Sequence, residues 1–375
     1  MNFEFSDEQL QLKDQARRYL ADKCPPAQVR KILEGEAPFD RALWGGLAEM
    51  GFLGAAIPEE YGGLGLGYLE LCVIAEELGR ALAPVPMSSS IYLAAEIIKA
   101  AGSEEQKKEW LPKLASGEAI GTLATSEGVG AVKPANVNLA ASNGALNGKK
   151  IPVLDGDIAT VAIVLARDSG GKDARGLSLY LVDLSQPGVT RTTLKTIDPT
   201  RSQAEIVFAN AKGERVGAQG DGWRLYEEAM DRAAVLTGFE QIGGADRALE
   251  MGTEYAKQRF AFGRPIGSFQ AIKHMLADMY VAGALARSNC YFGAYALSSG
   301  AAELPEAAAT VRVSATQAYQ LCSKNNIQVH GGMGFTWAFD CHLFYRRSNL
   351  LALTLGGQNE WEDKLIDRLR AKNAA

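Results

Sequence analysis

The sequence predicts a mainly α-helical protein with a β-domain inserted in its middle, and three observations carry that prediction. Residues 1–118 combine helical hydrophobic spacing with helix-start signatures. Residues 119–222 hold short runs rich in Val, Ile and Leu between Gly, Asp and Pro turns, and residues 223–375 return to an Ala-rich helical pattern. Helices, then strands, then helices indicate a strand domain set into a helical chain, so these three ranges are taken as the domains.

Each part has its own signals. In the first, Ser6-Asp7-Glu8-Gln9 and Ser103-Glu104-Glu105-Gln106 read as capping boxes, with a hydroxyl at the cap and an amide three residues on. Between them Leu71, Ile74, Ala75 and Leu78 fall on one helical face. In the second, Ile158–Ala166, Leu177–Val182 and Ala204–Phe208 read as strands. In the third, Trp223 to Gln258 reads as one long helix, weakly interrupted by Gly238, Gly243 and Gly244. The Ala-rich stretch Ala307–Tyr319 suits either close packing on a partner or the chain's own core.

Composition narrows the classes of function. The 375 residues are 47% hydrophobic and 22% charged, with a net charge of -5. An acidic balance without basic runs argues against nucleic-acid binding. No segment offers the ~20 apolar residues of a membrane span, and the acidic start Met-Asn-Phe-Glu-Phe lacks the form of a secretory signal. The five cysteines include no C-x-x-C pair, and the three histidines have no metal-like spacing. A cytoplasmic protein without disulfides or a metal is expected.

Several motifs can be set aside. Gly62-Gly63-Leu64-Gly65-Leu66-Gly67 resembles a dinucleotide fingerprint but follows no strand, so it reads as a turn. Gly148-Lys149-Lys150 lacks the upstream glycine of a P-loop, and its lysines read as an exposed turn. No serine stands in a G-x-S-x-G elbow.

Two segments in the last third are more informative. Arg259-Phe260-Ala261-Phe262-Gly263-Arg264-Pro265-Ile266-Gly267-Ser268-Phe269-Gln270 closes one helix with an arginine and opens the next with a glutamine. A guanidinium fork suits a pyrophosphate. Gln328-Val329-His330-Gly331-Gly332-Met333-Gly334-Phe335 has three glycines in four positions, which let the backbone approach an anion or flat ring. Either segment alone could be a simple helix terminator.

Together with Pro58-Glu59-Glu60-Tyr61-Gly62-Gly63 and Ala75-Glu76-Glu77-Leu78-Gly79, these segments resemble the acyl-CoA dehydrogenase family over nearly the whole chain. The resemblance implies an N-terminal helical domain, a central β-barrel or sandwich and a C-terminal four-helix bundle. It implies FAD as cofactor, with Arg259 and Gln270 reaching the flavin of a neighbouring subunit, Phe262 also binding the cofactor, and Gln328, Gly331 and Gly332 along its diphosphate. It implies α,β-dehydrogenation of an acyl-CoA thioester, with electrons passed to an electron-transfer flavoprotein. The assembly would be a homo-oligomer or a heteromer with a homologous subunit.

The chain departs from the family pattern where the chemistry occurs. The loop usually written Thr-Glu-Pro-Gly-x-Gly-Ser is here Thr125-Ser126-Glu127-Gly128-Val129-Gly130-Ala131. The usual Gly-x-Lys-x-Trp-Ile-Thr is Gly148-Lys149-Lys150-Ile151-Pro152-Val153-Leu154. By resemblance, substrate contacts fall to Ser126 and Asp231. The commonest base position is occupied by Leu355, and a second one by Ala233 or Asp231. Glu240, two turns beyond Ala233, has only Leu236, Thr237, Gly243 and Gly244 at helical neighbour spacing. It is expected to be an unpaired carboxylate fit to take the substrate's α-proton. Its rival Asp231 follows Glu227 and Glu228 on a helix start expected to face solvent.

Three functions remain open: a working dehydrogenase, a non-catalytic or half-site subunit of a heteromeric one, and a related flavin monooxygenase or oxidase. The altered loops lean toward a branched, cyclic or steroid-like acyl group.

Overall fold

The computed structural model describes residues 5–168 and 170–374. Met1 to Glu4, part of the acidic start read above, lie outside the described residues. The chain forms two compact units, one made of Met1–Val29, Tyr68–Ala83 and Ala234–Ala375, the other of Arg30–Gly67 and Pro84–Ala233. They are called the helical unit and the sheet unit below.

The helical unit opens with α1 (Asp7–Lys23), and the predicted capping box is present, with Gln9 N–H donating to Ser6 Oγ. The sheet unit contributes the next two helices, α2 (Pro26–Leu33, shared at the boundary) and α3 (Arg41–Glu49). The chain returns to the helical unit for α4 (Tyr68–Arg80), which buries Leu71, Ile74, Ala75 and Leu78 as their spacing predicts. A π-helical segment, Ser88–Ala95, leads into α5 (Glu96–Ala101) and α6 (Glu104–Ala115) of the sheet unit, and Ser103 caps α6 in the second capping box.

The sheet unit is built on eight strands: β1 (Gly121–Ala124), β2 (Ala140–Ser142), β3 (Ala145–Leu154), β4 (Val161–Arg167), β5 (Leu177–Asp183), β6 (Val189–Leu194), β7 (Gln203–Lys212) and β8 (Glu214–Val216). Their order is β6-β7-β3-β2-β4-β5-β8, with β1 pairing β4. β4 and β5 are buried along almost their whole length, which is why they read as continuous apolar runs. β4 begins three residues later than its apolar run, because Asp155 to Thr160 form a turn. β6 is an edge strand of mostly exposed Thr and Arg, a composition that discourages further strand pairing.

α7 (Gly222–Gln258) runs unbroken for 37 residues from the sheet unit into the helical unit. It is followed by a hairpin of β9 (Phe260–Ala261) and β10 (Arg264–Pro265), then α8 (Gln270–Ser299), α9 (Leu304–His330), α10 (Cys341–Thr354) and α11 (Gln358–Ala374). The α7 glycines expected to weaken the helix serve as packing surfaces instead. A Cβ on Gly79 would lie 1.9 Å from the Glu240 carbonyl oxygen, and one on Gly243 would lie 1.9 Å from that of Glu76. α4 and α7 therefore cross backbone to backbone. The Val311 side chain of α9 seats against Gly238 and Gly293, where an added Cβ would lie 2.2 and 2.5 Å from its methyl groups. The Ala307–Tyr319 stretch is core of its own chain, burying Ala307, Ala308, Ala309, Val311, Ala315, Ala318 and Tyr319.

Candidate active site

In the helical unit the two motif segments meet at one end of the packed helices. The Tyr255 ring near the end of α7 stacks on His330 at the end of α9, with centroids 4.0 Å apart, and Phe339 closes the cluster edge-on. His330 Nδ1 lies 2.8 Å from the Asn326 carbonyl, and burial pushes its pKa below the usual histidine value. It is therefore a neutral packing group. Only four residues join α8 to α9, and Cys322 Sγ lies 3.5 Å from the Met279 carbonyl, so the two helices run antiparallel. The start of α8 thus lies beside the end of α9.

The candidate cofactor residues fall on this end. Arg259 follows α7 directly, Gln270 opens α8, and Gln328 lies in the last turn of α9. All three are exposed. Among the described residues none of their side chains has a hydrogen-bond or ion-pair partner. Phe262 and Gly263 form the two-residue hairpin turn with φ of 53° and 78°, the geometry of a type I′ turn. That turn holds the Phe262 side chain 94% exposed. Gly331 adopts φ +60°, and a Cβ at Gly331 or Gly332 would meet nothing within 4 Å. Open glycine backbone, a free guanidinium and two free carboxamides are donors suited to a diphosphate and a flat ring system. The residues present fit FAD.

The carboxylate candidates stand differently from the sequence-based expectation. Glu240 is 0% exposed, at the α4–α7 crossing, and it has an interaction partner within the protein. The expectation of an unpaired carboxylate is corrected: helical spacing accounts only for neighbours on α7, whereas Glu240 also lies against α4. Arg247, the cation nearest on α7, is taken by Glu250 at 3.2 Å and Glu254 at 3.8 Å. Asp231 is 5% exposed and also partnered, so its expected solvent-facing position is corrected too. The helix start is covered by the sheet unit's own packing; Gly222, for example, lies against the Ser178 backbone. Leu355, at the commonest base position by resemblance, is 1% exposed, and of the two placements of the second position Ala233 is 0% exposed and Asp231 is the acidic one. The Leu355 carbonyl accepts from Trp361 Nε1 at 2.8 Å.

In the sheet unit, Ser126 is half-buried, and its hydroxyl donates to the Gly128 carbonyl at 3.0 Å. The turn expected at Lys149 and Lys150 is absent, and the exposure expected of both holds only at Lys149. Both lie in β3, and alternation along the strand points Lys149 outward and Lys150 inward. Lys149 is 57% exposed, whereas the Lys150 side chain is 0% exposed. Lys150 Nζ donates to Glu127 Oε1 at 2.7 Å and to the Thr125 carbonyl at 3.1 Å. Burial pushes the Lys150 pKa down to about 8 against the pull of Glu127. Burial pushes Glu127 up, but Lys150 and the N–H groups of Leu139 and Asn138 outweigh it and hold the carboxyl below its usual range. This pair was missed in the sequence; the available signal was two lysines on opposite faces of a strand.

The helical unit also contains a cavity of about 410 Å³ lined by Arg17, Leu20, Arg80, Arg247, Met251 and Phe344 among others. None of the candidate site residues lines it, and its arginines are paired with Glu77 and Glu250. Among the described residues no group of three or more metal-binding side chains occurs, and no helix is long and apolar enough to cross a membrane.

Comparison with known proteins identifies the class. The sequence matches the acyl-CoA dehydrogenase N-terminal domain over residues 6–118, the middle domain over 122–211 and the C-terminal domain over 220–368. The chain belongs to the acyl-CoA dehydrogenase family, whose members are FAD-dependent oxidoreductases in general. It is similar to the acyl-CoA dehydrogenase IpdE2 of Mycobacterium tuberculosis, at 33% identity over 357 residues, covering 94% of this chain and 95% of that protein. Its structure is similar to that of the Tcur3481–Tcur3483 steroid ACAD, with TM-score 0.89, 29% identity and coverage of 98% and 99%. It is also similar to the ChsE4–ChsE5 complex from Mycobacterium tuberculosis, with TM-score 0.89, 28% identity and coverage of 99% of both chains.

Proposed function

We propose that this chain takes part in FAD-dependent α,β-dehydrogenation of an acyl-CoA thioester to the 2-enoyl-CoA, with electrons passing on to an electron-transfer flavoprotein. The observation that carries this is the convergence of Arg259, Gln270, Gln328 and the open Gly331-Gly332 backbone at one end of the α7–α9 helices. Bound FAD would supply the hydride-accepting chemistry. Arg259, Gln270 and Gln328 would hold its phosphates and ring edges through charge-assisted and amide hydrogen bonds. The Phe262 ring would lie against a flat apolar surface, and Ser126 and Asp231 would contact the thioester.

In this proposal Glu240 takes the α-proton, and Asp231 is the alternative. Its burial sets a strict condition: the substrate's α-carbon must come to a carboxylate that solvent does not touch. Glu240→Gln keeps the shape and removes the proton acceptor. Flavin content should survive while flavin bleaching by acyl-CoA slows by orders of magnitude. Bleaching at the wild-type rate in Glu240→Gln, with bleaching lost in Asp231→Asn, transfers the role to Asp231.

A second reading is favoured by one observation. The commonest base position holds a buried apolar residue, Leu355, and one placement of the second holds another, Ala233, as befits a half-site subunit that relies on a homologous partner. The ChsE4–ChsE5 complex is a relative built from two proteins. An exposed apolar stripe on α8 supports subunit contact in either case: Val281 at 53%, Leu285 at 63%, Phe292 at 40% and Tyr295 at 36% exposure recur at helical spacing. Flavin bleaching by the purified chain alone supports the first reading. Bleaching that appears only when a homologous subunit is added supports the second. A branched, cyclic or steroid-like acyl group is the proposed substrate class, in keeping with the steroid ACAD among the relatives.

A further inference from the structure

The sheet unit buries one lysine completely, and the proposed chemistry does not use it. A buried ammonium is costly unless it is paired and hydrogen-bonded, and an apolar side chain would fill the same space at less cost. Lys150 is therefore informative through the contacts that it makes. Its ammonium bonds the Thr125 carbonyl and the Glu127 carboxylate. Glu127 in turn accepts from Asn138 N at 2.9 Å, Asn138 Nδ2 at 3.3 Å and Leu139 N at 2.9 Å. Between them, Ser126 is tied by its carbonyl to Ile151 N at 2.8 Å. The β3–β7 ladder skips Ile151 and Pro152, which frees the Ile151 N–H for this contact. Three consecutive residues, Thr125, Ser126 and Glu127, are thus fixed to β3.

The chain beyond them has the opposite character. Gly128 and Gly130 take φ of +149° and +100° with open space around them, and Val129 between them is fully exposed. A glycine-flanked tip has many accessible conformations, so its placement depends on where its stem is held.

We propose that Lys150 and Glu127 are positioning residues that lock the stem of the Thr125–Ala131 loop and so set where Ser126 and the loop tip meet the acyl-CoA. This rests on the dehydrogenase reading, which places that loop at the substrate. The pair acts through backbone geometry; neither side chain touches the reacting atoms.

The test uses the flavin-loaded protein and four variants: Lys150→Met, Glu127→Gln, the double variant, and Lys149→Met as an exposed control on the same strand. Two quantities are read. Amide hydrogen exchange over residues 125–139 is measured without ligand, and affinity for isobutyryl-CoA and cyclohexanecarbonyl-CoA is measured by calorimetry. Each single variant should speed exchange and weaken thioester binding about tenfold, with unchanged flavin content, and the double variant should cost less than the sum. Lys149→Met should change neither. Unchanged exchange in the single variants overturns the proposal. So does faster exchange with unchanged affinity, because the pair would then serve only the sheet. Should Lys150→Met fail to fold, the nearly isosteric Glu127→Gln decides by the same two readings. Wild-type protein that binds neither thioester overturns the dehydrogenase reading itself, and the ligand-free exchange data tell that failure from failure of the loop lock.

Discussion

Two charged sites, one in each unit, are built in different ways. In the sheet unit a single lysine meets a single carboxylate, Lys150 with Glu127. In the helical unit the buried Glu76 sits between two cations, Lys13 of α1 at 2.7 Å and Arg287 of α8 at 2.9 Å, and Arg287 also bonds Asp246 of α7. Next to it Glu77, 1% exposed, takes both ends of the Arg17 guanidinium. The helical network is shared, so loss of one member leaves others paired. The sheet pair has no such reserve. Redundant pairing fits a helix junction that only has to be stable. A lone pair whose lysine is fully desolvated fits a place where one geometry is selected.

That contrast can be broken experimentally. The largest effect is expected from Glu127→Ala, which leaves the Lys150 ammonium buried without its counter-charge. A stability loss of about 3–5 kcal/mol is expected in urea unfolding. A loss below about 1 kcal/mol would show that water or a rearranged loop replaces the carboxylate.

Gly79→Ala comes next. Its Cβ would sit 1.9 Å from the Glu240 carbonyl oxygen, a backbone atom that cannot rotate away. Separating α4 from α7 should cost about 3 kcal/mol, read in the same unfolding experiment. Gly35→Ala offers a milder comparison: it has no neighbour within 4 Å, although its φ of +89° adds local strain.

Lys13→Ala should cost only about 1 kcal/mol, because Arg287 remains on Glu76. Combining it with Arg287→Ala should cost more than the two single changes added together, since Glu76 is then left unpaired. Simple additivity would show that the network is not shared.

The mildest perturbation is acid. Burial pushes Glu76 up, but Arg287 and Lys13 outweigh it and hold its pKa below 4.5; Glu127 is held down in the same sense. A carboxyl with a lowered folded pKa contributes stability that is present above the unfolded value and is lost as pH falls through the folded one. Stability should therefore decline as pH falls below about 4.3, the value of an unperturbed glutamate. In Glu76→Gln the decline should be shallower. An identical acid profile in the two proteins would remove Glu76 from the account.

Much of the fold was legible because it rests on local rules. Ser6 and Ser103 cap helices through their own hydroxyls and a glutamine three residues on. The apolar face of α4 follows from its spacing, and α7 was recognisable as one helix despite its glycines. Both segments of the proposed flavin site were recognisable as well, because turn chemistry and glycine freedom are properties of short stretches.

Partnership between distant residues was not legible. Glu240 and Asp231 were placed on the correct helix, yet which groups surround them depends on other elements. The glycines of α7 read as weak points because a single helix does not reveal the α4 backbone pressed against Gly243. Lys150 and Lys149 are neighbours of the same type, separated only by which face of β3 meets the core. The sequence by itself determined the helix–strand–helix order, the caps and the motif segments, since these depend on residues within a few positions of one another. The tertiary structure alone decided which charges are buried, which carboxylates have partners and which glycines are contacts, because burial and pairing are made by residues tens to hundreds of positions apart.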